Sequence, residues 1–115
     1  MPVLAVVDDL LFRSKLEAGA APAGIAMVFA VDAEAATRHV ITGSCQAVVI
    51  DLGLTGQDAL DVVRRVREIA PALPVFGFCA HVDVERQQRA HEAGCTMVLP
   101  HSAFLRQWPA LLGAI

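Results

Sequence analysis

The stretch Ala47-Val48-Val49-Ile50-Asp51 constrains this chain more than any other. Four apolar residues end in a carboxylate, and Leu52-Gly53 then turns the chain away. A short apolar run of this kind predicts a strand buried on both faces. Its charged end must lie at the strand's C-terminal edge, within reach of water or a cation, because burying an isolated carboxylate is costly. A second stretch of the same design opens the chain: Val3-Leu4-Ala5-Val6-Val7, then Asp8-Asp9. If the two strands lie side by side and parallel, three carboxylates meet at one edge of one sheet.

Apolar runs recur at Val3–Val7, Ile25–Val31, Ala47–Ile50, Val75–Cys79 and Met97–Leu99, and the first four begin roughly 22 to 28 residues apart. Segments rich in helix formers separate them. Alternating strand and helix implies a parallel sheet with right-handed crossovers. The expectation is a single domain over residues 1–115: a flavodoxin-like, doubly wound (βα)5 fold with strand order 2-1-3-4-5.

Helix one should run from Leu10 to Ala18 and stop at Gly19, with Leu11, Phe12 and Leu16 on its apolar stripe. Helix two should follow Asp32, a good N-cap, and run from Ala33 to Ile41. Helix three carries Leu60, Val63, Val66 and Ile69 at helical spacing, with Arg64, Arg65 and Arg67 on other faces. Helix four, Val84 to Ala93, is nearly all polar, so it buries little and is mobile or faces a partner; Gly94 is its C′ residue. Helix five presents Phe104, Trp108, Leu111, Leu112 and Ile115 on one stripe, with Pro109 kinking it or starting a second short helix. Trp108 belongs to the core.

At 56 % hydrophobic, the composition suits a sheet covered on both faces. Nine Lys and Arg against twelve acids leave no basic arm, which argues against nucleic acid as a partner. Cys45, Cys79 and Cys95 form no CxxC pair and read as buried thiols in a reducing cytoplasm. The first apolar run breaks at Asp8, too short for a signal peptide or a membrane span, so a soluble cytoplasmic protein is expected.

In an open parallel sheet, ligands bind outside the carboxyl ends of the strands, where the strand order reverses. For the order 2-1-3-4-5 that point lies between strands one and three, which end in Asp8-Asp9 and Asp51. A like-charged pair at about 4 Å costs on the order of 4 kcal/mol at an effective dielectric of about 20, so the cluster needs a cation or a shared proton. Oxygen ligands with room for water favour Mg2+. A carboxylate beside such an ion can act as a nucleophile toward a phosphoryl group. The plainer reading is that Asp8 and Asp9 cap helix one and Asp51 is a solvated loop acid.

The constellation resembles the receiver domain of two-component response regulators over essentially the whole chain. Val6-Val7-Asp8-Asp9 looks like the family's acidic pair, and Val49-Ile50-Asp51-Leu52-Gly53-Leu54 like its phosphoacceptor strand and turn. Gly56-Gln57-Asp58-Ala59-Leu60 looks like the entry to helix three, Pro74-Val75-Phe76-Gly77-Phe78-Cys79-Ala80 like strand four, and Ala93-Gly94 precedes strand five. The resemblance implies that Asp9, Asp51 and the backbone carbonyl of Gly53 bind Mg2+ directly and that Asp8 acts through water. It implies that Asp51 accepts phosphate from a histidine kinase or another phosphodonor.

Five positions depart from the family pattern. Cys79 stands where the family has a Thr or Ser that holds a phosphoryl oxygen, and it is a poor donor. His101-Ser102 stands where the family has a Lys-Pro pair, and the one lysine of the chain, Lys15, lies in helix one. Val98 occupies the aromatic switch position and Thr55 the usual loop proline. Cys79, a protonated His101 and Ser102 are the remaining candidates to contact phosphate. The expectation is an atypical, stand-alone receiver whose metal site is present and whose phosphate-sensing relay is impaired. The alternative is a degenerate, phosphorylation-independent interaction module. Either would engage a separate protein, or a second copy as a homodimer, through helix four, strand five and helix five. A haloacid-dehalogenase-like phosphatase is the weakest alternative: it needs an Asp-x-Asp where the chain has Asp51-Leu52-Gly53, so no enzyme is expected. A metal site from His81, Asp83, Glu85 and His91 matches no strong signature. Cys79 is expected to be a packing thiol, and Arg13 part of a surface ion pair.

Overall fold

Five parallel strands lie in the order β2-β1-β3-β4-β5 in the computed structural model, which describes residues 1–113. They are β1 (Val3–Val6), β2 (Met27–Ala30), β3 (Ala47–Asp51), β4 (Val75–Cys79) and β5 (Met97–Pro100). The helices are α1 (Leu10–Ala20), α2 (Ala33–Ile41), α3 (Ala59–Ile69), α4 (Val84–Ala93) and α5 (His101–Gly113). This is the flavodoxin-like winding that the alternating pattern predicts. Every residue of β1, β3 and β4 is buried, as continuous apolar runs in a covered sheet require. No helix among the described residues is long and apolar enough to cross a membrane.

Successive strand residues face opposite sides, so the sheet divides the core into two layers. Leu4, Val6, Val48, Ile50 and Cys79 meet the aliphatic stripes of α2, α3 and α4. Val3, Ala5, Val49, Phe76 and Phe78 meet α1 and α5. The second layer is aromatic: Phe12 stacks on Phe78 at 4.4 Å between ring centroids, and Phe78 on Phe104 at 4.8 Å.

Each of α1 to α4 begins at an aspartate whose carboxylate accepts from the first free amides: Asp9, Asp32, Asp58 and Asp83. α2 and α4 have the bounds their sequences predict. α4 buries only Ala90 and Ala93, and it ends at Gly94, whose φ of +127 suits glycine.

Several expectations are corrected. α1 passes through Gly19 to Ala20, because Gly19 sits against Trp108 of α5: a Cβ there would lie 3.0 Å from the indole Nε1. The glycine permits close helix packing, and the turn falls later, at Gly24, with φ +69. The buried stripe of α1 is Phe12, Leu16 and Ala20, whereas Leu11 points to solvent, 66 % exposed. α3 buries Ala59, Val62, Val63 and Val66, leaving Leu60 half-buried and Ile69 exposed. α5 runs unbroken through Pro109. The ring removes one helical bond there, and Phe104 and Trp108, fully buried in the two turns before it, hold the helix on the sheet. Ile115 lies outside the described residues.

Arg67 does not simply face solvent with Arg64 and Arg65. Its guanidinium folds under the end of α3 and donates to the carbonyls of Pro71 at 2.8 Å, Leu73 at 2.7 Å and Gly94 at 3.2 Å. It thereby ties the entries of β4 and β5 together.

Candidate functional site

β1 pairs with β3 in parallel, with Val6 opposite Ile50, and β3 pairs with β4, with Asp51 opposite Phe78. The carboxyl ends of β1, β3 and β4 therefore share one edge, and Asp8, Asp9 and Asp51 gather there. Asp51 is the one buried charged side chain among the described residues, 9 % exposed.

Each of the three carboxylates is held through one oxygen. Asp51 Oδ1 accepts from the Gly53 amide at 2.8 Å. Asp9 Oδ1 caps α1, accepting from Leu11 N at 2.9 Å and Phe12 N at 3.2 Å. Asp8 Oδ2 accepts twice from Thr55, from its amide at 2.9 Å and its hydroxyl at 2.7 Å. These hydrogen bonds, the hydroxyl's first, hold the Asp8 carboxyl below its ordinary pKa. The capping role foreseen for Asp9 is thus real, and it uses only one oxygen. Asp8 Oδ1, Asp9 Oδ2 and Asp51 Oδ2 accept no hydrogen bond from another described residue.

Those three oxygens and the Gly53 carbonyl are hard donors of the kind Mg2+ or Ca2+ takes, so the residues present fit a divalent cation. They do not form a closed cage: among the described residues, no three His, Cys, Asp or Glu side chains converge tightly enough to enclose an ion.

The other half of the edge differs. Residues paired in register share a face, so Asp51 lies on the α1/α5 side with Phe78, and the next residue, Cys79, turns to the opposite side. The Cys79 thiol is buried in the aliphatic layer and donates to the His81 carbonyl at 3.1 Å, as a packing thiol. His101 is the first residue of α5, its ring 5.0 Å from Phe12 and 5.4 Å from Phe78 between centroids. Its Nε2 is 3.9 Å from Asp51 Oδ1, too far for a hydrogen bond, and is buried without a partner. Ser102 is exposed beside it.

Two residues named from the sequence only as motif positions make contacts at this edge that it did not foresee. Thr55 is the partner of Asp8. Gln57 spans two loops, accepting from Ala33 N at 2.8 Å and donating to Val31 O at 2.6 Å. Neither lies on a periodic stripe, and each contact joins residues far apart in the chain, so no local pattern announces them. The residues around α4 are engaged separately. Asp83 caps the helix, Glu85 pairs with Arg89 at 3.7 Å, and His91 Nδ1 donates to Cys95 O at 2.9 Å. Arg13 pairs with Glu17 at 3.2 Å and lies over the Phe29 ring, away from the acidic edge. A groove of about 320 Å³ separates the β3–α3 loop from α4, bounded by Leu52, Asp58, Leu60, Asp83, Arg86 and Arg89.

No protein-family profile matches the chain. It is 28 % identical over 115 residues to the response regulator MprA of Mycobacterium leprae, covering all of this chain and 50 % of that protein. It is 31 % identical over 76 residues to the response regulator protein PmrA of Pseudomonas aeruginosa, covering 66 % of this chain and 34 % of that one. The chain thus spans half or less of these curated relatives. Among solved structures it superposes, with a TM-score of 0.85 and 18 % identity, on a response regulator of Burkholderia pseudomallei, over 96 % of this chain and 65 % of that one. That structure carries a phosphorylated aspartic acid, a calcium ion and citrate.

Proposed function

This chain is a receiver domain of the response-regulator type, the domain of two-component signalling, and from that premise we propose that Asp51 accepts a phosphoryl group. The observation that carries the reading is the arrangement around Asp51: one oxygen pinned by Gly53 N, the other unengaged, at the shared end of β1 and β3. The calcium and phosphorylated aspartate of the Burkholderia protein support it.

Asp9, Asp51 and the Gly53 carbonyl would hold a divalent cation, Mg2+ by preference, with Asp8 acting through water. When bound, the ion supplies positive charge that offsets the three carboxylates and the incoming phosphoryl group. Asp51 Oδ2 attacks phosphorus, and the bond from phosphorus to the donor breaks, its electron pair leaving with the donor. A histidine kinase or a small acyl phosphate would serve as donor. Gly53 N keeps Oδ1 oriented throughout.

Sensing of the phosphoryl group is weak in this reading. Cys79 is committed to His81 on the other face, and His101 Nε2 stops short of Asp51. Ser102 is left as the exposed hydroxyl nearby. This asymmetry also favours a second reading, a degenerate module whose binding is independent of phosphorylation. Under both, a protein partner or a second copy is met through α4, β5 and α5, where α4 offers charged side chains over little buried surface.

Incubating the protein with acetyl phosphate and Mg2+ and weighing it intact tests the proposal. The expected result is a slow, partial gain of one phosphoryl group that Asp51→Asn abolishes. Rapid stoichiometric gain would contradict weak sensing, and no gain would leave the phosphorylation-independent module.

A further inference from the structure

We propose that Thr55 is a latch: it holds the Asp8 carboxylate aside, and Asp8 joins a bound cation only when the β3–α3 loop lets go. The inference rests on the metal reading above and adds a gate to it.

Both donors of Thr55 converge on one oxygen of Asp8, its amide at 2.9 Å and its hydroxyl at 2.7 Å. Hydrogen bonds to an ionised acceptor are the strong kind; both fall on Oδ2, and they hold the carboxylate so that its free Oδ1 is kept aside. They also fix the side-chain torsion. In this latched arrangement the acids at the edge do not close around a point. Asp9 cannot turn toward Asp8 without loss of the α1 cap, and Asp51 is fixed by Gly53. Asp8 is therefore the member with freedom to complete the set, and Thr55 is what restrains it.

The loop is built for limited movement. Thr55 is exposed, between Leu54 and Gly56, and Gly56 has φ +80, a conformation a side chain would resist. Beyond it the chain is anchored again: Gln57 bridges to Val31 and Ala33, and Asp58 caps α3. Release is thus confined to the few residues between Asp51 and Gln57. Entry of the ion and departure of Thr55 are one event, and the loop reports that the site is filled.

The test is a Mg2+ titration of the whole chain by calorimetry and by amide NMR, for the wild type, Thr55→Val and Thr55→Ser. Valine removes the hydroxyl at an exposed position, and thermal melts check that the fold is kept. The expected result is a Kd tightened about three- to tenfold in Thr55→Val, the effect of losing one charge-assisted hydrogen bond that competes with the ion. Thr55→Ser keeps both donors and should stay within about twofold of the wild type. In the wild type the Thr55 amide resonance should move upfield as the ion saturates. Binding by Thr55→Val alone would also support the latch. Wild-type binding with an equal or weaker Kd in Thr55→Val, Ser behaving as Val, or an unmoved Thr55 amide would overturn it while leaving the metal site standing. Absence of binding in all three proteins would overturn the metal reading and the latch together.

Discussion

At the carboxyl edge of the sheet, the β1–β3 half and the β4–β5 half are held together in different ways. On the β1–β3 side each of the three candidate carboxylates is fixed by a main-chain amide: Asp9 by α1, Asp51 by Gly53 and Asp8 by Thr55. On the β4–β5 side nothing comparable exists. Cys79 has been drawn into the aliphatic layer, and His101 lies tilted against the stacked pair Phe12 and Phe78 with its Nε2 partnerless. The amide contacts to Asp9 and Asp51 come from the backbone path at the start of α1 and the turn after β3, so they persist as long as these do, and the Thr55 contact to Asp8 is the one the loop can release. A phosphate contact at the other half depends on one side chain of the right reach and charge. One side of a site can thus keep its donors while the other loses its grip.

The largest expected effect comes from the β1–β3 half. Asp51→Asn should abolish phosphoryl uptake from acetyl phosphate in the intact mass, while Asp51 remains the sole acceptor in the unaltered chain. Next is repair of the other half. His101→Lys would place an ammonium where the imidazole falls 3.9 Å short of Asp51, and should raise the phosphorylation rate about tenfold, the worth of one charge-assisted hydrogen bond. An unchanged rate would show that the loss on this side is not electrostatic. Cys79→Thr should give less, about two- to threefold, because the side chain must also leave the aliphatic layer to reach the edge. Quenched-flow sampling with mass detection checks both rates.

The smallest effect concerns acid stability. Folding lowers the Asp8 pKa from its ordinary 3.8, through Thr55. A lowered folded pKa contributes stability that is present above the unfolded value and is lost as pH falls through the folded one. Asp8 is exposed, so the contribution is modest. Urea midpoints between pH 5 and pH 3 should fall slightly less in Thr55→Val than in the wild type. Cys95 supplies an opposite, alkaline limit. Burial pushes its thiol up to about 11, so the stability tied to the neutral thiol is full below the unfolded value and fades as pH climbs toward the folded one.

How much of this could be read from residues alone varies with the kind of contact. The strands and the helices α2 and α4 follow from local pattern, because apolar runs, aspartate caps and Gly94 act within a few positions. The position of Asp8, Asp9 and Asp51 on one edge followed from strand order. Gly19 misled because glycine serves both as a helix stop and as a thin place where Trp108 packs, and only the approach of α5 distinguishes them. Pro109 starts no second helix, because burial of Phe104 and Trp108 outweighs the missing helical bond. The facing of Cys79 was set by strand alternation, which depends on the register with Asp51 and Phe78. Arg67, Thr55 and Gln57 were invisible because their partners lie across loops, and a polar loop residue has no periodicity to betray it.

The central claim is that the acid edge takes a divalent cation and that Asp51 there accepts phosphate, with a weak answer from β4 and β5. Amide NMR with Mg2+, then with beryllofluoride as a phosphoryl mimic, tests it directly. The account predicts shifts at Asp8, Asp9, Asp51 and Gly53 on adding Mg2+, and a further change at Asp51 with the mimic that fades before α4. A spectrum that responds to neither addition would contradict it.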